Sequence, residues 1–168
     1  MPLFFGNGRL PVIKLKAFTL IELLIVIAII ASLAAIGIPY LLRARMNANE
    51  SSIRADLKTL STATESFFSA QNPPTYPPNL VALVAAGVGP SYLDASWAVV
   101  GQPRHGYNVA YLAAANTYSA LATPVTLNTT GVNTFCIDQT GVIVASVNGA
   151  GAPTATAAGC TGGTASIG

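Results

Sequence analysis

A bilayer core about 30 Å thick is crossed by about 20 consecutive apolar residues in a helix. The run from Leu23 to Leu42 has that length and carries no charge. Ahead of it, Met1 to Ala17 contains Arg9, Lys14 and Lys16 and no acidic residue. Excess positive charge on one flank keeps that flank cytoplasmic, so the body after Leu42 is expected on the far side of the membrane. Arg43 and Arg45 oppose this simple rule, and the leader is taken as dominant. Two plain readings account for the run: a cleaved signal, with Ala34 and Ala35 as small residues, or a single-span anchor. Neither accounts for Glu22. A carboxylate at the edge of an apolar helix costs several kcal/mol unless it is paired or interfacial. A helix N-terminus offsets part of that cost, and a nearby cation would offset the rest.

Helical periodicity continues past the run. Ile53, Leu57, Leu60, Thr64 and Phe67 recur at spacings that form one apolar stripe. Arg54, Asp56, Lys58 and Glu65 lie largely off it, and Glu50 with Arg54 forms an i,i+4 pair with the acid first. The spacing predicts a helix from Phe18 to Ser69, about 78 Å long if unbroken. Gly37 and Pro39 are expected to interrupt it, since proline removes a hydrogen bond and presses on the preceding turn.

Beyond it, Pro73, Pro74, Pro77 and Pro78 stop the helix. Asn79 is placed to cap a short helix over 80–86. Tyr92, Leu93 and Trp97 are expected to pack back on the long helix. Strands are predicted over 106–113, 118–123, 132–137 and 142–147, with a turn at Gln139-Thr140-Gly141. The Gly-, Ala- and Thr-rich tail over 148–168 has no apolar period and reads as loop. The fold class is therefore α+β: a long N-terminal apolar helix packed by its C-terminal half against a small antiparallel sheet.

Only 8% of residues are charged, against about 25% in typical soluble domains. The +2 net charge belongs to the leader; without Arg9, Lys14 and Lys16 the remainder is slightly acidic. After residue 70 the charges are Asp94, Arg104 and Asp138, so nucleic-acid binding is not supported. Arg104 beside His105 reads as surface filling. His105 sits in no triad motif, Asp94 and Asp138 are isolated, and no phosphate-binding loop occurs, so neither an enzyme nor a cofactor is expected. Cys136 and Cys160 make no zinc site; behind a secretion signal they are expected to pair, with two free thiols as the alternative. Closing that loop would contribute about 3 kcal/mol by chain entropy. Sequons occur at Asn49 and Asn128; Asn128, in an expected loop, is the candidate glycosylation site.

The stretch Lys16-Ala17-Phe18-Thr19-Leu20-Ile21-Glu22-Leu23-Leu24-Ile25-Val26 resembles the class III signal of type IV prepilins and type II secretion pseudopilins. Ala17 stands where that family usually has Gly, and Pro39 falls at the family's helix proline. The resemblance implies cleavage between Ala17 and Phe18 by a prepilin peptidase, N-methylation of Phe18, and a pairing role for Glu22 with a neighbour's amino terminus in the filament. Gly106-Tyr107, Tyr118 and the segment Phe135 to Ile143 resemble the small-pilin sheet more loosely. The implied organisation is a leader over 1–17, a helix over 18–70 whose 18–42 portion is membrane span and filament core, and a head over 71–168.

The implied function is a structural subunit of a type IV pilus-like surface filament, for adhesion, motility or DNA uptake. The alternative is the major pseudopilin of a type II secretion system. Pseudopilins of that group bind calcium through a late acidic loop, whereas no Asp or Glu follows Val144, so the surface pilin is favoured and no metal is expected. A minor initiating subunit is disfavoured by the presence of Glu22. Implied partners are copies of itself, the prepilin peptidase, a platform membrane protein with an assembly ATPase, and an outer-membrane secretin. The precursor would reside in the inner membrane and the filament outside the cell, or in the periplasm for a pseudopilus.

Overall fold

The computed structural model describes residues 18–84, 91–99, 101–146 and 151–163, and the backbone of 165–167. The basic leader and Ala17 lie outside the described residues. The chain divides into two compact units between Pro39 and Tyr40.

Helix α1 runs from Leu20 to Ala70, 51 residues with Pro39 inside. The helix expected to be interrupted at Gly37 and Pro39 stays α-helical through both residues and their flanks. Proline forfeits one backbone bond, and the remaining ladder of a helix this long carries the chain across that gap.

In the second unit α1 buries Ile53, Leu57, Leu60, Ala63 and Thr64, with Phe67 half-buried beside them. Asn79 caps α2 (Leu80–Val84) by accepting the Ala82 N–H at 3.0 Å; residues 85 and 86 of the expected helix lie outside the described residues. A 3₁₀ turn, Ala95–Ala98, places Trp97 in the core. The strands are β1 (Tyr107–Ala113), β2 (Tyr118–Pro124), β3 (Phe135–Asp138), β4 (Ile143–Ala145), β5 (Thr154–Thr156), β6 (Gly159–Thr161) and β7 (Ala165–Ile167). Five form one antiparallel sheet in the order β1-β2-β3-β4-β7, and β5 pairs with β6 separately. The tail expected to be loop is thus partly strand. Its strands are three residues long, too short to show a local period; β5 and β6 pair with each other and β7 with β4.

Register explains the core. Tyr111, Ala120, Ile137 and Ile143 align across β1 to β4, as do Val109, Ala122, Phe135 and Ala145. Ala120, Ala122 and Ala145, all buried, are small side chains of this face, leaving room for the apolar stripe of α1. The opposite face carries Leu121 and Cys136 in one row and Ser119 and Asp138 in the next. Strand β3 starts at Phe135 rather than 132 because the Val132 and Asn133 N–H groups donate to the Glu50 carboxylate instead of a ladder, at 2.8 and 3.0 Å.

Two expected charge readings change. Glu50 and Arg54 do not pair through their charges: the Arg54 Nε–H donates to the Glu50 carbonyl at 3.1 Å, and its guanidinium lies over the Phe135 ring. Arg104 is not surface filling. It donates to Asp56 at 2.9 Å and Ser96 at 2.6 Å and stacks 4.1 Å from the Trp97 ring centre.

The phenols of Tyr76, Tyr107, Tyr111 and Tyr118 donate to Glu65, the Asn133 carbonyl, the Pro77 carbonyl and Ser61. Burial pushes all four above their ordinary value, Tyr118 to about 12. For a phenol raised on folding, stability is fully present below the unfolded value of about 10 and is lost as pH rises through the folded value. Alkaline titration should therefore ionise these tyrosines steeply, together with loss of the buried Trp97 emission. Gradual ionisation with Trp97 still buried would contradict this packing.

Candidate functional site

Phe18 and Thr19 precede α1, and Phe18 is 89% exposed. Thr19 and Glu22 form a reciprocal cap. The Thr19 N–H and hydroxyl both donate to Glu22 Oε2, at 2.9 and 2.8 Å, and the Glu22 N–H donates to Thr19 Oγ1 at 3.3 Å. A carboxylate three residues after a threonine satisfies helix N-terminal donors and faces the positive end of the helix dipole. Thr19 was missed as a functional residue in the sequence, although the Thr-x-x-Glu spacing encodes this cap. Beyond it, an 18-residue stretch of α1 reaches a mean hydropathy of 2.8 with none of it buried. That is enough apolar helix to cross a membrane. The one hydroxyl of its middle portion, Ser32, donates back to the Ala28 carbonyl at 2.7 Å, which removes its demand for an outside partner.

On the outer face of the sheet, Cys136 and Cys160 form a disulfide with Cα atoms 6.0 Å apart. Burial pushes the Asp138 carboxyl up, but hydrogen bonds from the Thr140 hydroxyl and from the Cys160 and Thr140 N–H groups outweigh it and hold the group below the usual carboxylate range. Asn128 is exposed at a turn with φ 61, where Thr126 and Thr130 bond each other. Asn49 is half-buried and donates to the Thr130 carbonyl at 2.9 Å, so the sequon on the helix has its amide engaged. A cavity of about 440 Å³ lies between α2, the 3₁₀ turn and β1. Its one charged wall residue among those described is Arg104, already bonded to Asp56 and Ser96. Among the described residues no cluster of three or more His, Cys, Asp or Glu could hold a metal.

The family described as the prokaryotic N-terminal methylation motif matches residues 14–38, the segment that carries Phe18, Glu22 and Gly37. The type IV wide pilus major component PilA4 of Thermus thermophilus is 40% identical over 92 residues, 55% of this chain and 69% of that protein. The chain belongs to the type IV pilin family. A second pilin relative, the type IV major pilin protein PilA of Myxococcus xanthus, is 47% identical over 57 residues, 34% of this chain and 26% of that longer protein. No solved structure gives a significant match to this pilin. One relative is named a major component of a type IV pilus and the other a type IV major pilin, and neither name refers to secretion.

Proposed function

We propose that this pilin is the repeating structural subunit of a type IV pilus, built from copies of itself after processing at the membrane. The observation that carries the reading is the pairing of an apolar helical stretch, none of it buried, with a carboxylate at its start, on a chain of pilin ancestry. Apolar surface leaves water at about 25 cal/mol per Å², so this helix is covered first by lipid and then by neighbouring subunits. In this reading a prepilin peptidase cuts between Ala17 and Phe18, the new Phe18 amine is methylated, and a platform protein with its ATPase drives polymerisation. Pili with this subunit stand outside the cell. The pilin head, with its few charges, forms the exterior.

The test is the intact mass of the subunit from fibres sheared off the cell surface, measured before and after reduction. The expected mass is that of a chain starting at N-methylated Phe18, with a gain of two hydrogens on reduction. Excess mass would place a glycan, for which Asn128 is the candidate. Processing at Phe18 without surface fibres would favour the pseudopilin instead. An intact leader in cells with an active peptidase would overturn the filament reading.

A further inference from the structure

The β5–β6 hairpin is not paired into the main sheet. Among the described residues, side chains pin it there. The Thr117 hydroxyl donates to the Ala157 carbonyl at 2.6 Å and the Ser119 hydroxyl to the Thr156 carbonyl at 2.7 Å. Both bonds come from the β2 side and hold β5 and the turn. The bond that reaches β6 comes from β3: Asp138 Oδ2 accepts the Cys160 N–H at 3.0 Å. Asp138 itself is fixed, because its Oδ1 accepts both the Thr140 N–H at 2.9 Å and the Thr140 hydroxyl at 2.6 Å. One carboxylate oxygen thus locks the side chain and the other aims at the residue to be crosslinked. Gly159 makes the approach feasible. Its φ of 131° favours glycine, and a Cβ there would sit 3.0 Å from Asp138 Oδ2.

We propose that Asp138 is the positioning residue for closure of the Cys136–Cys160 disulfide, holding β6 so that the Cys160 sulfur meets Cys136 before the bond exists. Cys136 is fully buried while Cys160 is half-exposed, so Cys160 meets the oxidant. With oxidised glutathione as the probe, the Cys160 thiolate attacks one glutathione sulfur and expels a glutathione thiolate. The Cys136 thiolate then attacks the Cys160 sulfur of the mixed disulfide and expels the second. Two protein thiols are oxidised, two glutathione thiols are formed, and the two protons pass to the leaving thiolates. Asp138 acts on the second step by bringing the two sulfurs together, a step whose rate also depends on the thiolate character of Cys136 and on the leaving glutathione thiol.

The experiment takes the reduced mature chain in detergent micelles, adds oxidised glutathione, quenches by alkylation and follows the species by mass. The native chain should close with only a trace of mixed disulfide. Asp138→Ala should slow the second step about tenfold, the effect expected when a charged hydrogen bond is lost, and so accumulate the glutathione adduct. Asp138→Asn, which keeps one acceptor, should fall between, and Thr140→Val, which loses one of the two bonds that fix the carboxylate but spares the Cys160 bond, should slow closure less than Asp138→Asn. Closure of the Asp138→Ala adduct at the native rate overturns the proposal. If that variant loses the buried Trp97 emission when reduced, the comparison rests on Asp138→Asn against Thr140→Val. Equal rates in those two overturn it as well.

Discussion

Replacing Glu50 with Ala should remove about 3 kcal/mol from the stability of the head, the order found when one partner of a buried charged network is deleted. Glu50 is 9% exposed. It takes three donors from one loop: the Val132 N–H at 2.8 Å, the Asn133 N–H at 3.0 Å and the Asn133 side-chain amide at 2.9 Å. Each donor stranded away from water costs about 1–3 kcal/mol, and the half-buried setting of Val132 and Asn133 lets water recover part of that. Glu50→Gln should be intermediate, since the amide keeps one acceptor and turns an NH₂ toward a donor. Asp56 is the control. Its bond to Arg104 is as short, 2.9 Å, but both side chains keep 21% exposure, so solvent screens the pair and its loss should cost less than that of Glu50. Denaturant titration followed by Trp97, the single tryptophan, separates the two. A Glu50→Ala loss no larger than that of Asp56→Ala would show that the loop is held by its backbone and not by this carboxylate.

The contrast between these two acids also marks what could be read in advance. The apolar stripe from Ile53 to Phe67 is a local pattern, so its burial was legible from spacing. The alternation of Tyr107, Val109 and Tyr111 was legible for the same reason, and β1, β2 and β4 fall inside or within a residue of their expected spans. Glu50 looked like an ordinary surface partner for Arg54 because its real partners are 82 and 83 residues away in sequence. Arg104 was misread likewise, its acid lying 48 residues upstream on α1. Strands β5 to β7 are built from Thr, Ala, Gly, Cys, Ser and Ile in three-residue pieces, and their pinning hydroxyls and carboxylate leave no periodic trace. At the candidate assembly site the reverse held. Glu22 drew attention through its chemistry, while Thr19, adjacent to it in the same local motif, was passed over.

Glu22→Gln should cut the yield of filaments tenfold or more without altering the denaturation of the head. In the free chain Glu22 Oε2 is occupied by the Thr19 N–H and hydroxyl, while among the described residues no bond to Oε1 is seen. In our reading of assembly, the Phe18 amine of a neighbouring subunit approaches that second oxygen. Once the helices pack, both charges lie in an apolar core, and a charge left unpaired there costs about 3–5 kcal/mol, whereas a pair nearly balances its own desolvation. The pair therefore penalises wrong registers more than it stabilises the correct one. Gln keeps the size and can still accept from Thr19, so the cap survives and only the charge is lost. Thr19→Val makes the opposite change, removing a cap bond worth about 1 kcal/mol while keeping the carboxylate, and should reduce yield far less. If Glu22→Gln assembles at the native level with normal methylation of Phe18, the carboxylate serves only to cap its own helix. Register would then have to come from the shape of the apolar surface alone.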